Sequence, residues 1–161
     1  MDLYIGFDVS LASTAICVLS VCGKVVKEAN AASEPEALTA FLQDLAGNVE
    51  AVGLEAGPLS QWLHMHLTAA GFEVVLMETR QVKSALKAMP IKTDRRDAFG
   101  IARLLQMGWF RPVHCKSVSA QEMRAVLTTR KAILNAAIKL EQSTRGVLGN
   151  FGLKMGQVTK T

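Results

Sequence analysis

Near residue 33 the apolar pattern of this 161-residue chain changes period, and few folds accommodate what stands on its two sides. Before that point, residues 3–9 (LYIGFDV), 14–21 (TAICVLSV) and 24–29 (KVVKEA) are β-rich runs in close succession, the last two joined by the Cys22-Gly23-Lys24 turn. Short connections of this kind predict an antiparallel meander. After it, strands and helices alternate. Ser33, Glu34, Pro35 and Glu36 read as a helix start with Ser33 as N-cap and Pro35 in the first turn. Ala37, Leu38, Phe41, Leu42 and Leu45 then recur at helical spacing up to Gly47. Residues 51–55 (AVGLE) predict a fourth strand, 58–70 a helix stopped by Gly71, and 72–77 (FEVVLM) a fifth strand. Strands separated by helices run parallel. The expected order is β-β-β-α-β-α-β-α: an α/β mixed sheet, with a three-strand antiparallel meander, two parallel strands and flanking helices.

No strand candidate follows Met77. Residues 79–88 and 93–107 read as helices, Gly108 breaks the pattern, and a loop opens at Arg111-Pro112 and ends near Ser119. One helix of roughly 30 residues, about 45 Å long, then reaches to about residue 148. Met123, Val126, Leu127, Ile133, Leu134, Ala137, Ile138, Leu140, Val147 and Leu148 form a single stripe along it. Arg124, Arg130, Lys131, Lys139 and Arg145 surround the stripe. Such a helix needs a partner, either its own domain or a second helix in a pair or dimer arm. The expected division is a domain over 1–112 and a helical segment over 113–161. No internal repeat or low-complexity segment is present.

Charge divides the chain as sharply as periodicity does. The net charge of +4 conceals two basic residues against ten acidic ones in residues 1–79, a net of −8. Residues 80–161 carry sixteen against four, a net of +12. Such asymmetry points to nucleic acid or an acidic surface at the basic half. Half the residues are hydrophobic and the mean hydropathy is +0.23, which excludes a disordered chain. The Met1-Asp2-Leu3-Tyr4 start lacks the basic stretch of a secretory signal. The longest early uncharged run, 9–23, is 15 residues with four Ser/Thr, short of the roughly 20 needed to span a membrane. A soluble, cytoplasmic protein without a membrane partner is expected. Cys17, Cys22 and Cys115 fit no metal or disulfide spacing and read as small core residues, the first two on one strand.

Three places put carboxylates where a core or a loop would not ask for them. Asp8 ends the apolar run Ile5-Gly6-Phe7, and Glu55 ends Val52-Gly53-Leu54 before the Gly57-Pro58 turn. Burying a lone carboxylate is costly unless it is paired or bound to a metal, and parallel sheets collect functional groups at carboxyl strand ends. Asp94 and Asp97, three apart in Lys92-Thr93-Asp94-Arg95-Arg96-Asp97-Ala98, project from one face of a helix's first turn. Four such acids suit two Mg²⁺ ions, or Mn²⁺ in their place, acting on a phosphodiester. The plainer readings remain open at this point: acids favour helix starts, and Asp8 can cap a turn. Lys92, Arg95, Arg96 and Arg103 in the same segment suit a phosphate backbone. Arg80, Lys83, Lys87, Arg124, Arg130 and Lys131 complete the expected nucleic-acid contacts.

The acids in the order Asp, Glu, Asp, Asp, the last pair within Lys-Thr-Asp-Arg-Arg-Asp-Ala, closely resemble the DEDD transposases of the insertion sequence 110 family and the related Piv-type DNA invertases. Leu54-Glu55-Ala56-Gly57-Pro58, Glu78-Thr79-Arg80-Gln81-Val82-Lys83 and Gly108-Trp109-Phe110-Arg111-Pro112 also look like that family. The resemblance spans essentially the whole chain. It implies an RNase H-like, RuvC-type domain in which Asp8, Glu55, Asp94 and Asp97 bind Mg²⁺ and are catalytic. It further implies a DNA recombinase that uses a structured bridge RNA to pair with donor and target DNA. The long helix would match the family's coiled-coil region, which forms a homodimer or higher oligomer and contacts nucleic acid. Family members continue into a C-terminal domain whose serine is the nucleophile. Residues 1–161 carry no counterpart, so an excised domain or truncated product, incomplete for catalysis alone, is expected. Ser10, Ser13, Ser60 and Ser84 lack a context for nucleophile activation.

Two other readings compete. Ile5-Gly6-Phe7-Asp8 with Ser10, Ser13 and Thr14 also resembles the first phosphate hairpin of the actin, sugar kinase and heat-shock ATPase group, although a second Gly-rich phosphate motif is lacking. A non-catalytic module that binds nucleic acid and dimerises is the other. His64 and His66, two apart on a helix, cannot share a face as a zinc pair. Trp109 and Phe110 read as a helix-end anchor rather than a stacking platform for bases.

Overall fold

A computed structural model describes residues 1–87, 94–154 and 156, with Asp94 and Arg95 described in backbone only. Contacts divide the chain into two compact units, Met1–Cys115 and Lys116–Thr161. In the first, β1 (Asp2–Val9), β2 (Ser13–Ser20) and β3 (Val25–Ala32) form the meander. Helix α1 (Pro35–Gln43), β4 (Asn48–Glu55), α2 (Ser60–Ala69), β5 (Val74–Met77), α3 (Thr79–Lys87) and α4 (Asp94–Gln106) follow. Strand order is β3-β2-β1-β4-β5. β1 pairs antiparallel with β2 and parallel with β4, while β4 pairs parallel with β5. The expected mixed sheet is therefore the one observed.

Alternation along the strands assigns the two faces. Leu3, Ile5 and Phe7 of β1 join Val52 and Leu54 of β4 against Leu38 and Leu42 of α1 and Leu63 and Leu67 of α2. Each buried Leu, Ile or Phe contributes about 1.5–3 kcal/mol, so this face supplies much of the stability. On the opposite face Met77 and Val82 pack with Ile101, Leu104 and Leu105. Beside them the small side chains of α4, Ala98 and Ala102, meet Ala15, Cys17 and Leu19, with Phe99 partly buried against the cluster. There α4 lies almost directly on the sheet. A Cβ on Gly6 would fall closer than 3.0 Å to the Ala98 carbonyl oxygen and the Ala102 nitrogen. A strand-interior glycine marks this kind of backbone approach.

Both sheet edges are defined. The β3 edge is largely exposed, its register with β2 shifts between Val18 and Leu19, and Lys27 pairs with Asp44 at 3.7 Å while its ammonium stands 4.8 Å from the Phe41 ring centre. At the other edge Pro112 bridges Met77, and the Glu78 and Val113 amides donate to the Arg111 and Leu76 carbonyls.

Two local expectations are corrected. Ser33 does not cap α1: the cap position is Glu34, which makes no side-chain capping bond. The buried Ser33 hydroxyl instead meets Thr14 Oγ1 at 2.8 Å, and its amide donates to the Ala12 carbonyl. Cys22 is neither on a strand nor in the core. It is exposed in the turn after β2, 3.1 Å from Ser20 Oγ, whereas Cys17 is buried and Cys115 is half-buried. The hydrogen bond from Ser20, aided by the Lys24 backbone, holds the Cys22 thiol below its ordinary value.

In the second unit α5 (Val118–Asn150) is one 33-residue helix. Ser117 caps it by accepting from the Ala120 amide. No residue of α5 is buried, and Val126, Leu127, Ile133 and Leu134 are among its exposed apolar side chains. Among the described residues no helix is long and apolar enough to cross a membrane.

Candidate active site

The β1–β4 pairing runs up to Phe7 opposite Leu54, so Asp8 and Glu55 are the next residues on two adjacent parallel strands. Alternation sends both toward the face covered by α4, the side on which Gly6 and Gly53 lie. Asp97 stands in the first turn of α4, immediately before the Ala98 carbonyl that rests over Gly6. The positive end of the helix favours an acid there. Asp8, Glu55 and Asp97 thus line one cavity of about 370 Å³, with Ser10, Ser60 and Lys83 also in its wall. All three acids are half-buried.

The rim is rigid. Ser10 Oγ donates to the Ser13 carbonyl at 2.6 Å in the β1–β2 turn. Ser60 Oγ donates to the Gly57 carbonyl at 2.7 Å and accepts from the Gly57 amide, closing the turn after β4. Thr79 Oγ1 donates to the Ala56 carbonyl at 2.7 Å, and the Ala56 amide donates to the Met77 carbonyl. The start of α3 is thereby fixed beside Glu55. Lys83, one turn along α3, brings Nζ to 3.8 Å from Glu55 Oε1.

Of the four acids expected to act together, three share this cavity, and the side chain of Asp94 lies outside the described residues. An all-carboxylate donor set suits a hard divalent cation. Among the described residues, however, no three His, Cys, Asp or Glu side chains are already gathered as one metal-holding group. The donors fit in kind, and Lys83 supplies the positive charge beside Glu55 in the arrangement observed.

The basic residues separate into groups. Arg80 and Lys87 are exposed on α3 and Arg96 on α4, and Arg124, Arg130 and Lys131 are exposed on α5. Lys92 and the side chain of Arg95 lie outside the described residues. Arg103 departs from expectation. Its guanidinium fills the space that a Cβ on Gly23 would take and donates to Gln106, whose amide donates to the Val21 carbonyl. Through Gln106 it is tied to the β2–β3 turn, at the end of the sheet away from the acids. His64 and His66 share a helix, and His66 meets Trp62 edge-on at 5.8 Å. The sequence reading missed the ion pairing of Lys83, and the glycines at positions 6 and 53 were the available signal for the seat of α4.

The strand order, with helices on both faces, gives an RNase H-like fold similar to that of RuvC. T. thermophilus RuvC in complex with a Holliday junction substrate matches it with a TM-score of 0.51 and 16% identity, covering 70% of this chain and 100% of that one. A Thermus thermophilus RuvC structure gives 0.49 at 18% identity, covering 69% and 99%. A family model for the insertion sequence 110 DEDD proteins, described as a transposase, matches residues 5–152, and the chain belongs to that family. The transposase for insertion sequence element IS1111A of Coxiella burnetii (strain RSA 493 / Nine Mile phase I) is 28% identical over 162 residues. That match covers 97% of this chain and 41% of the relative, so the chain spans about two-fifths of that protein's length.

Proposed function

We propose that Met1–Cys115 is the metal-dependent catalytic domain of a DNA transposase, and that the α5 unit serves nucleic-acid binding and dimerisation. The observation that carries this reading is the meeting of Asp8, Glu55 and Asp97, from two strands and a helix, around one cavity in a chain of this family. Asp8, Glu55 and Asp97 would hold Mg²⁺, or Mn²⁺ in its place, with Asp94 as the fourth ligand. A divalent ion bound there supplies charge stabilisation to the oxygens of a phosphodiester. The chain's own residues do the rest. The sheet sets Asp8 and Glu55 side by side, α4 brings Asp97 to the same cavity, and hydrogen bonds of Ser10 and Ser60 close the turns at its edge. Arg80, Lys87, Lys92, Arg95 and Arg96, nearby in sequence, would hold the phosphate backbone, with Arg124, Arg130 and Lys131 on α5 engaging DNA and a structured guide RNA.

The test is Mn²⁺ titration of the 161-residue chain, with divalent-dependent DNA cleavage assayed in the intact parent transposase. Asp8→Asn, Glu55→Gln and Asp97→Asn should each weaken Mn²⁺ binding by about tenfold or more, roughly 1.4 kcal/mol per tenfold, and abolish cleavage without lowering the unfolding midpoint. Undiminished cleavage by Asp97→Asn would remove the catalytic assignment. Nucleic-acid binding without any divalent ion binding would favour the non-catalytic module.

A further inference from the structure

Lys83 is not accounted for by phosphate binding alone, because its ammonium stands beside Glu55 in the wall of the cavity that holds the acids. It lines the cavity shared by Asp8, Glu55 and Asp97, and it pairs with Glu55 at 3.8 Å. The pair is loose. That separation lies near the outer limit of an ion pair, and the Lys83 side chain is 66% exposed against 26% for Glu55. An exposed pair of this kind adds little to folding. The helix that carries Lys83 is nonetheless anchored, since the Thr79 and Ala56 hydrogen bonds tie the start of α3 to the end of β4 and Lys83 follows Thr79 by four residues on the same face. Three carboxylates around one cavity repel one another, and a single ammonium on a flexible four-carbon stem offsets that repulsion without filling the space.

We infer that Lys83 is a tethered counter-ion that neutralises Glu55 until a divalent cation displaces it, whereupon its ammonium turns outward to a nucleic-acid phosphate. This rests on the reading of the acids as a metal site. Two linked consequences follow. Lys83 competes with the metal for Glu55, so its removal tightens metal binding. Lys83 also contributes a phosphate contact only when the metal is present, so the salt dependence of DNA binding carries its signature conditionally. A purely structural lysine would produce neither effect.

The experiment is Mn²⁺ titration of the 161-residue chain by electron paramagnetic resonance, with DNA binding measured against salt concentration, with and without Mn²⁺. Lys83→Met should bind Mn²⁺ about twofold to fivefold more tightly, the range expected for losing one exposed ion pair. It should lower the salt slope of DNA binding by about 0.9 when Mn²⁺ is present and leave it unchanged when Mn²⁺ is absent. Lys83→Arg should stay near wild type in Mn²⁺ affinity, and Lys87→Met, one turn further along α3, should tighten Mn²⁺ less than Lys83→Met does. Equal Mn²⁺ affinity in wild type and Lys83→Met, with Glu55→Gln still weakening it, overturns the inference alone. Tightening by Lys87→Met as large as that by Lys83→Met overturns it too, because the effect would then be the general field of the surface. Failure of both Asp8→Asn and Glu55→Gln to weaken Mn²⁺ binding overturns the metal site and the inference with it.

Discussion

Replacing Gly6 by alanine puts one methyl group where α4 rests on the sheet. The added Cβ would fall closer than 3.0 Å to the Ala98 carbonyl oxygen, the Ala102 nitrogen and the Ala102 side chain. Two of these three neighbours are helix backbone and cannot rotate aside, so α4 must move outward by on the order of 1 Å, opening gaps around Ile101 and Leu105. Overpacking of this kind costs roughly 3 kcal/mol, about 12 °C in the unfolding midpoint of a unit the size of Met1–Cys115. Gly53 is a graded comparison, because its added Cβ would meet the mobile end of Met77 at 2.7 Å and Ile101 at 3.4 Å, and its cost should be smaller. At Gly57 the nearest atom is 3.9 Å away, so Gly57→Ala should be neutral or stabilising by about 0.4–1 kcal/mol through the unfolded chain. Both tryptophans, Trp62 and Trp109, belong to Met1–Cys115, so urea denaturation followed by tryptophan fluorescence reports this unit alone. Gly6→Ala should also weaken Mn²⁺ binding, since Asp97 directly precedes Ala98. Adding Ala102→Gly should not rescue it, because the backbone contacts remain. A Gly6→Ala protein within 0.5 kcal/mol, roughly, of wild type would refute the close seating of α4.

Two further outcomes are expected. Thr14→Val and Ser33→Ala should each cost about 1–3 kcal/mol by leaving a buried hydroxyl unpaired, while the double variant costs less than the sum of the two, measured by urea denaturation. Cys22 should react with a thiol reagent much faster than buried Cys17 near neutral pH, and Ser20→Ala should slow it, because the Ser20 hydrogen bond favours the thiolate; an unchanged rate would show that this bond does not tune the thiol.

The succession of strands and helices along the chain and the long helix were legible in the sequence because both rest on periodicity. So were the positions of Asp8 and Glu55, since an acid closing an apolar strand is costly wherever the strand is buried. Long-range partners were not. Ser33 has every local mark of a helix cap, yet the end of β3 carries its amide to Ala12 and its hydroxyl to Thr14, neither of which local spacing reveals. Cys22 follows a β-rich run, but the Gly23 turn, with its left-handed φ of 76°, ends the strand at Ser20. Arg103 lies in a basic helix and reads as a phosphate ligand, while Gly23 and Gln106 draw it to the far end of the sheet.

The two edges of the sheet bear on how copies of this protein can meet. A free strand edge offers unpaired amides and carbonyls to any other strand, a route to uncontrolled association. Here the β5 edge is bridged by a proline segment, which offers no amide of its own at that position. The β3 edge is interrupted by its register shift and carries Lys27 and Glu28. Strand addition is thus discouraged at both margins. Any contact with another chain is left to side-chain surfaces, whose charges respond to salt concentration in a way that backbone pairing does not.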